Sequence, residues 1–499
     1  MVVVLLAAMM VLSLVVRLDD LTDLPLDFHP TRQLHSAMIA RGMYYENLTS
    51  APGWQRQMAV AQRKSEGYLE PPVLESLAVL GYRWMGKEAL WMPRALSALF
   101  WVLGSLPLFF LARHLGGDAG GLTATAYYLF LPYGVIASRS FQPEALMVAS
   151  MLLALWVFYR WSLHPNLGWA LLAGGSMGLA VFTKAMIAFP LAGAAFGLLL
   201  GSFGLKRAVR NSQTWVIGIL ALLPYITYYL YGEYVAGYSA GSLGGRFFAE
   251  ALITPSFYLR WGLKASSVIT SIFLLLAPVG IFLLKSKVNR WFMIGLWVGY
   301  IIYGLIFNYQ TSTHDYYHLP LVPIVALSLA PLALWLTRWA ESFIPNPVTL
   351  RWIFMGALAL AIGLSSWNVH RVLVQTDYRG AALLYEKIGQ KIGRKSKAIA
   401  LTEDYGNRLA YWGWINPRIW PSYGDLNYQR KVSGATSEFR KLFSSLSRGM
   451  DYFIVTRFDE LELQPELRDH LYQNFPVYDW GDGYVIFDLR NPLTEPVKQ

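Results

Sequence analysis

Apolar residues along this chain come in long, nearly uninterrupted blocks that are separated by short polar stretches. A block of about 17–24 such residues is long enough for an α-helix to cross a hydrocarbon core of roughly 30 Å. The protein is therefore predicted to be a polytopic α-helical membrane protein. About eleven spans are predicted, at residues 2–16, 91–113, 119–138, 143–163, 167–183, 185–204, 213–232, 264–284, 291–308, 316–337 and 351–368.

Two longer segments are too polar to cross a membrane. The first, residues 17–90, contains PTRQLHSAMIARGMYY, whose apolar residues recur at the spacing of a helix that lies in the membrane interface. The second, residues 372–499, alternates β-like runs (AIALT, DYFIVT, YVIFDL) with helical stretches such as AALLYEKIGQKIG. We therefore predict a membrane domain at 1–371, which includes the loop 17–90, and a C-terminal soluble α/β domain at 372–499.

The composition agrees with a membrane protein and excludes other classes. The chain is 55% hydrophobic and only 15% charged, whereas soluble proteins carry about a quarter charged residues. The formal charge of +11 comes from basic residues between the apolar blocks, which indicates positive loops rather than a nucleic-acid surface. With no Cys, disulfides and thiolate metal sites are excluded.

The positions of the basic residues predict the orientation of the chain. Residues 1–16 lack the basic start and A-x-A site of a cleaved signal peptide, so we interpret them as the first span. A cytoplasmic N-terminus then places the more basic loops inside, for example Arg113, Arg160 and Lys206. An odd number of spans puts both polar segments on the extracytoplasmic side.

Several polar side chains are predicted to share that outer face, at the mouths of spans. They are Asp27, Glu70, Glu144, Lys184 and the run from His314 to His318. Each has an ordinary explanation: Asp27 is suited to capping the helix after Pro30, and tyrosines are common at the membrane interface. Ionisable groups at membrane depth are costly and tend to mark functional sites, however, so their grouping favours function.

These residues occur in an order that resembles the GT-C glycosyltransferases that use lipid-phosphate sugar donors. This family includes the protein O-mannosyltransferases and the bacterial lipid A aminoarabinose transferases. In the family the first span is followed by an acidic motif, here Asp27, and by an interfacial helix that ends near a Gly, here Gly42. The other matching stretches are EPP at Glu70, LARHLGG, the segment from Ser138 and Arg139 to Glu144, FTK at Lys184, and HDYYHLP from His314.

The chain departs from the family pattern at three positions. Phe28 replaces the second acid of an Asp-Glu motif, Glu144 stands where Asp is usual, and Glu70 replaces His or Lys. The resemblance covers residues 1–370 and implies a GT-C fold whose spans hold the lipid tail of the donor. It also implies a cell-envelope enzyme of the bacterial plasma (inner) membrane, with its active site on the extracytoplasmic face.

On this interpretation the protein moves a sugar from a polyprenyl phosphate to a lipid, glycan or protein acceptor. The transfer needs a base for the acceptor hydroxyl and a stabilised leaving phosphate, in line across the sugar carbon. We predict that Asp27 is the base, with Glu144 as the next candidate, and that a single displacement inverts the anomeric carbon. The predicted donor-phosphate ligands are Lys184, His314, Tyr316, Tyr317 and Arg139.

A divalent metal cation is the one cofactor that the sequence admits. Glu70 and Glu144 are its predicted ligands, because carboxylates suit oxygen-preferring metals. Three other functions remain open from the residues alone. A ligase that moves a whole glycan from a lipid diphosphate would use similar groups. A transporter or flippase would use the acids as ion sites, although these normally lie near the midplane. A membrane scaffold would make their grouping accidental.

Overall fold

The computed structural model describes residues 1–68, 70–237, 247–433 and 438–493. By packing, the chain divides into two compact units. We call Met1–Thr22, Tyr68–Ala78 and Trp91–Thr376 the membrane unit, and Asp23–Gly67, Val79–Leu90 and Asp377–Gln499 the loop–tail unit. The domain boundaries predicted above, 1–371 and 372–499, stay a prediction.

Helices account for most of the first 373 residues. In chain order they are α1 (Val2–Leu18), α2 (Pro30–Glu46), α3 (Gly53–Glu66), α4 (Val73–Met85), α5 (Trp91–Phe130), α6 (Pro132–Ser138), α7 (Glu144–Leu163), α8 (Leu167–Thr183), α9 (Ala188–Ser202), α10 (Leu205–Arg210), α11 (Ser212–Tyr231), α12 (Pro255–Ile269), α13 (Ser271–Leu283), α14 (Lys287–Ile306), α15 (Asn308–Thr313), α16 (Leu321–Glu341) and α17 (Pro347–Leu373).

The membrane unit contains long apolar helices, as the sequence predicts. Among the described residues, six helices are long and apolar enough to span a membrane, or seven if a bent pair forms one span. Two shorter apolar helices, α1 and α8, add to these. The chain is therefore an integral membrane protein with many spans, and the count of eleven stays a prediction.

Three predicted spans differ in detail from the observed helices. The spans 91–113 and 119–138 are separated by a kink within α5, where Gly117 adopts φ 64°, a conformation that Gly adopts without strain. The second span is also interrupted at Leu131, after which α6 completes it. The span 264–284 is wrong as one continuous helix, because α12 and α13 meet at 90° at Thr270. Thr270 has φ 66°, which is unusual for a β-branched residue and marks the bend.

The loop–tail unit carries a five-stranded mixed sheet. Its strands are β1 (Ala398–Leu401), β2 (Arg418–Ile419), β3 (Tyr452–Val455), β4 (Val477–Gly481) and β5 (Tyr484–Asp488). They lie in the order β2-β1-β3-β5-β4. The strands β2, β1 and β3 are parallel, whereas β5 is antiparallel to β3 and β4. The strands β1, β3 and β5 coincide with the three β-like runs of the sequence.

Six helices accompany the sheet, and an aromatic and aliphatic core lies beneath it. The helices are α18 (Ala381–Ile392), α19 (Asn407–Gly413), α20 (Tyr423–Ser433), α21 (Phe439–Ser447), α22 (Phe458–Glu462) and α23 (Pro465–Asn474). Phe453, Phe487 and Leu471 are fully buried in this core, with Trp420 at 2% exposure. Such burial of aromatic and aliphatic side chains is the main source of stability for a sheet of this size.

The loop helices α2 and α3 pack tightly inside the same unit. A Cβ atom on Gly42 would lie 2.5 Å from the Cβ of Arg63, so this position requires Gly. Next to it, Arg41 donates to the carbonyl of Tyr411 at 2.5 Å and to Glu88 at 3.1 Å. The helix α2 coincides with the predicted interfacial helix. Its Gly42 allows close packing against α3, and its Arg41 ties the loop to the tail.

Candidate active site

Three charged side chains of the membrane unit meet in one cluster. The Lys184 ammonium contacts the Glu144 carboxylate and lies 3.2 Å from Oε1 of Glu70. The Lys184 and Glu144 side chains are 3% and 2% exposed, but that of Glu70 is 20% exposed. The sequence thus correctly grouped these three residues. We call them the ion cluster, and Glu70 is its accessible member.

Interruptions of helical structure place each member of the ion cluster. Glu144 is the first residue of α7, where the helix dipole favours a carboxylate. Lys184 has an extended backbone (φ −159°) between α8 and a short 3₁₀ turn, Ala185–Ile187. Glu70 precedes Pro71 and Pro72, and a residue before proline is biased towards extended structure. The three charged residues of the ion cluster therefore lie at or beyond the ends of helices, and not in their apolar middles.

The HDYYH run forms a 3₁₀ turn, Asp315–His318, before α16. The Tyr316 and Tyr317 rings lie 5.6 and 5.3 Å from the Lys184 ammonium, a distance at which an aromatic face attracts a cation. His314 packs against both tyrosine rings, with centroids 5.6 and 5.9 Å away. The run thus forms an aromatic wall beside the ion cluster, while His318 is buried and bonded to Tyr300 at 2.7 Å.

Arg139 follows α6 and is fixed through its backbone. It is 1% exposed, and its carbonyl accepts a hydrogen bond of 3.1 Å from Nε of Arg94, itself buried. The second guanidinium nitrogen of Arg94 donates to the carbonyl of Leu21 at 3.1 Å. The structure therefore holds Arg139 between α5 and the end of the first helix, in the same unit as the ion cluster.

Arg17 is a residue of this region that sequence reasoning missed. It is completely buried on α1, and its Nε donates to the hydroxyl of Ser138 at 2.8 Å. Its Nη1 donates to the carbonyl of Leu129 at 2.9 Å. One guanidinium thus joins the end of α5 to the end of α6. The signal in the sequence was a cation directly after the first predicted span.

The break between α5 and α6 explains why these donors are needed. Pro132 has no N–H, so the carbonyl of Tyr128 loses its helical partner, and the carbonyls at the end of α5 need other donors. The carbonyl of Tyr128 accepts from Trp101 at 3.2 Å, and that of Phe130 accepts from Ser365. Arg17 of α1, Trp101 of α5 and Ser365 of α17 thus supply the donors that satisfy the broken turn. They also fix the direction of α6, which ends just before Arg139.

Asp27, the predicted base, lies in the loop–tail unit. It is half-buried, in the segment before α2, and the Gln33 amide reaches its Oδ1 at 3.5 Å. The same amide donates to the carbonyl of Phe28 at 2.7 Å. The N-cap of α2 is His29, so the ordinary explanation of Asp27 as the cap of this helix is wrong. Its carboxylate is thus held by Gln33, on a loop tied to α2.

The predicted metal ligands, Glu70 and Glu144, both contact the ammonium of Lys184. Among the described residues, no group of three or more His, Asp or Glu side chains lies together in a way that could hold a metal ion. The donor set of the ion cluster thus suits an ammonium better than a divalent cation. The metal itself stays a prediction.

Similarities to known proteins bear on this site. The family model for dolichyl-phosphate-mannose-protein mannosyltransferase matches residues 69–231, a segment that contains Glu70, Arg139, Glu144 and Lys184. Lipid A galacturonosyltransferase RgtD of Rhizobium johnstonii is 28% identical over 134 residues, which cover 27% of this chain and 28% of that protein. The chain thus matches little more than a quarter of the length of this relative.

The solved structures that match almost the whole chain include two of one bacterial protein. ArnT from Cupriavidus metallidurans in the apo state superposes with a TM-score of 0.59, and the same protein bound to undecaprenyl phosphate with 0.60. Both are 16% identical in sequence, and each match covers 97% of both chains. The resemblance to the GT-C glycosyltransferases predicted from the sequence is confirmed, and the chain has the fold of these membrane proteins.

Proposed function

We propose that the protein transfers a sugar from a polyprenyl-phosphate donor to an acceptor hydroxyl at the extracytoplasmic face of a bacterial plasma membrane. The fold, the mannosyltransferase family match and the lipid A galacturonosyltransferase relative support this activity. The structural neighbour bound to undecaprenyl phosphate supports a polyprenyl-phosphate donor. The acceptor is a lipid, glycan or protein.

The observation that carries the proposal is the buried ammonium of Lys184, which has a partly exposed partner in Glu70. A buried cation requires an anion, and Glu144, 2% exposed, supplies it permanently. Glu70 is partly exposed and lies at 3.2 Å, so an arriving phosphate can replace its carboxylate on Lys184. The rings of Tyr316 and Tyr317 then lie beside the bound phosphate. His314 and Arg139 are the other residues that we propose to bind the donor.

The reaction is a single displacement. Asp27 accepts the proton of the acceptor hydroxyl, and the acceptor oxygen forms a bond to the anomeric carbon of the sugar. The bond between that carbon and the phosphate oxygen breaks, and the polyprenyl phosphate leaves with the electron pair. The charge that develops on the leaving oxygen is stabilised by Lys184. Attack from the face opposite the phosphate inverts the anomeric carbon.

A lipid-linked glycan ligase is the nearest alternative, because its diphosphate leaving group would meet the same cation. A divalent cation at Glu70 stays a proposal of the second rank, since Lys184 already supplies positive charge at that point. No step of the displacement above runs through a metal.

The proposal is tested with purified protein in lipid nanodiscs and a panel of undecaprenyl-phosphate sugars, with release of undecaprenyl phosphate measured by mass spectrometry. The wild type is expected to release it, faster once a suitable acceptor is present. Asp27→Asn should keep the donor affinity and lower transfer by about 10²–10⁴-fold, the usual contribution of a general base.

Asp20→Asn is the matched control, because it changes a neighbouring aspartate that has no assigned role. It should transfer at the wild-type rate. Full activity of Asp27→Asn would remove Asp27 as the base and make Glu144 the next residue to change. A wild type that releases no undecaprenyl phosphate from any donor would refute the proposed function.

A further inference from the structure

The loop–tail unit contains a polar cavity at one edge of its sheet. Its volume is about 210 Å³, and it lies where β1, β2 and β3 end, so that Thr402, Trp420 and Arg457 line it. These three strands are parallel, and ligands of parallel sheets bind outside the carboxyl ends of the strands. We call this cavity the tail cavity. It is smaller than the usual 300–1,000 Å³ of drug-sized sites, which suits one small ring.

The lining of the tail cavity combines acceptors, hydroxyls and an aromatic ring. Asp404, Asp425 and Glu460 contribute carboxylates, and the hydroxyls come from Thr31, Thr402, Tyr405 and Ser422. The Tyr405 hydroxyl donates to Asp425 at 3.2 Å while the residue is 60% exposed. A sugar ring presents hydroxyl donors around its edge and apolar C–H groups on its face, so carboxylates and an exposed tyrosine ring match it.

The charge of the cavity limits what can enter. Arg457 is the one cationic residue among the described residues that line it, and it is paired with Asp459 at 2.5 Å and Glu460 at 3.4 Å. Arg408 pairs with the lining residue Asp404, so three lining carboxylates face two cations, and an anionic ligand such as a phosphate would meet an excess of one carboxylate. A neutral sugar or an amino sugar meets no such repulsion.

The backbone of the cavity rim is held in a costly conformation. Asp404 and Tyr405 have φ of 50° and 54°, and Gly406 follows with φ 80°. Two successive non-glycine residues in the left-handed region are strained. Strain of this kind is retained where the surrounding structure needs a side chain in a defined position. Here it places the Tyr405 ring at the mouth of the cavity.

The rim is also connected to the loop of the candidate base. The hydroxyl of Thr31 donates to Oδ1 of Asp404 at 3.1 Å, and the Asn407 amide donates to the carbonyl of Thr31 at 3.0 Å. Thr31 follows Asp27 by four residues, so their Cα atoms are at most about 14 Å apart. A ligand in the tail cavity thus lies against the same short segment that carries Asp27, and both belong to one unit.

We infer that the tail cavity binds a neutral or amino sugar of the acceptor and presents a neighbouring hydroxyl to Asp27. This inference rests on the proposed function, because only a sugar transferase has an acceptor for the cavity to bind. The binding of a sugar by the cavity is independent of it. The acceptor would then be a glycan or glycolipid, and an anionic sugar would be excluded from this subsite.

Saturation-transfer NMR on the full-length protein in nanodiscs tests the inference, with D-galactose, D-glucosamine and D-galacturonate as probes. D-galactose and D-glucosamine should give a saturation-transfer signal that saturates with sugar concentration, and D-galacturonate should not. Asp425→Asn and Tyr405→Ala should weaken binding about tenfold or more. Asp469→Asn, a change of an exposed tail aspartate outside the cavity, should leave it unchanged.

Tyr405→Gly separates binding from folding. Gly adopts φ 54° without strain, so its melting temperature should be no lower than that of the wild type, while sugar binding is lost. The inference would be overturned if the wild type gave no saturation-transfer signal with these sugars, or if wild type and Asp425→Asn gave equal signals. A wild type that releases undecaprenyl phosphate but binds no sugar refutes the inference alone. Sugar binding without donor turnover refutes only the proposed function.

Discussion

The ion cluster of the membrane unit and the tail cavity of the loop–tail unit are both polar, but they treat charge differently. Lys184 and Glu144 are almost fully buried and pair with each other, and Glu70 is a more accessible partner of Lys184. The tail cavity instead has an exposed Tyr405, and its carboxylates accept hydrogen bonds from hydroxyl groups. A buried ion pair suits exchange for one charged group, whereas an open polar cavity suits a neutral polyol. This difference is the basis of the proposed division of labour, in which the first region binds the donor phosphate and the second binds the acceptor.

The sharpest way to break this division is to remove the cation of the ion cluster. Lys184→Met should weaken undecaprenyl phosphate binding by about 10–150-fold, because a charge-assisted bond contributes about 1.5–3 kcal/mol. Sugar binding by the tail cavity should not change. Equilibrium binding of labelled undecaprenyl phosphate measures the effect.

A destabilised fold would give the same loss of binding, since Lys184→Met leaves buried Glu144 without its cation. The double variant Lys184→Met/Glu144→Gln removes that stray charge and should recover the melting temperature without recovering affinity. Lys64→Met, a lysine of the loop–tail unit, is the matched control. Recovery of affinity in the double variant would contradict the role of Lys184.

Arg17 offers a second test on the donor side. Arg17→Lys keeps the charge but loses the fork that joins Ser138 to Leu129. Donor affinity should fall by about tenfold, the value of one charged hydrogen bond, because α6 no longer aims Arg139. Arg113→Lys, on an exposed arginine paired with Asp118, should behave as the wild type. A lower melting temperature with unchanged donor affinity would make Arg17 a purely structural residue.

Glu70→Gln sharpens the comparison further, because it changes the exchangeable partner of Lys184. Without a competing carboxylate, the phosphate should bind a few-fold more tightly, and chelation by EDTA should leave this affinity unchanged. If affinity falls in Glu70→Gln, and EDTA lowers it in the wild type, Glu70 is a ligand of a divalent cation as the sequence predicted.

The smallest expected effect concerns the stability of the tail. Burial against the rings of Phe443 and Phe439, with the charge of Arg440, lowers the pKa of His470. The unfolded chain, whose histidine has an ordinary pKa near 6.5, therefore binds the proton more readily. Stability is fully present above about pH 6.5 and is lost as the pH falls towards the folded pKa.

Amide exchange of the full-length protein between pH 7 and pH 5 should show this loss in the tail segments. His470→Gln should flatten the pH dependence. Undecaprenyl phosphate binding by the membrane unit should follow neither change. An unaltered pH profile in His470→Gln would show that another group controls tail stability.

The sequence predicted those features that depend on local pattern. Apolar blocks gave the positions of the helices, and polar residues at their ends gave the grouping of Glu70, Glu144 and Lys184. The bend at Thr270 was missed because the apolar run is continuous across it. The pattern of apolar residues carries no information on a single left-handed backbone position.

The rest depends on contacts between distant parts of the chain. Arg17 bonds to Leu129 and Ser138, 112 and 121 residues away, and one of these partners is a backbone carbonyl with no sequence signature. Thr31 and Asp404 are 373 residues apart, so no local pattern joins the base loop to the tail cavity. The predicted role of Asp27 as the base rests on the family resemblance. This role and those of the donor-phosphate ligands stay proposals.

One measurement tests the division of labour most directly: equilibrium binding of undecaprenyl phosphate to the wild type, Lys184→Met and Asp425→Asn in the same nanodiscs. We expect saturable binding to the wild type, a loss of about 10–150-fold for Lys184→Met, and wild-type affinity for Asp425→Asn. No saturable binding to the wild type, or an equal loss in both variants, would contradict it.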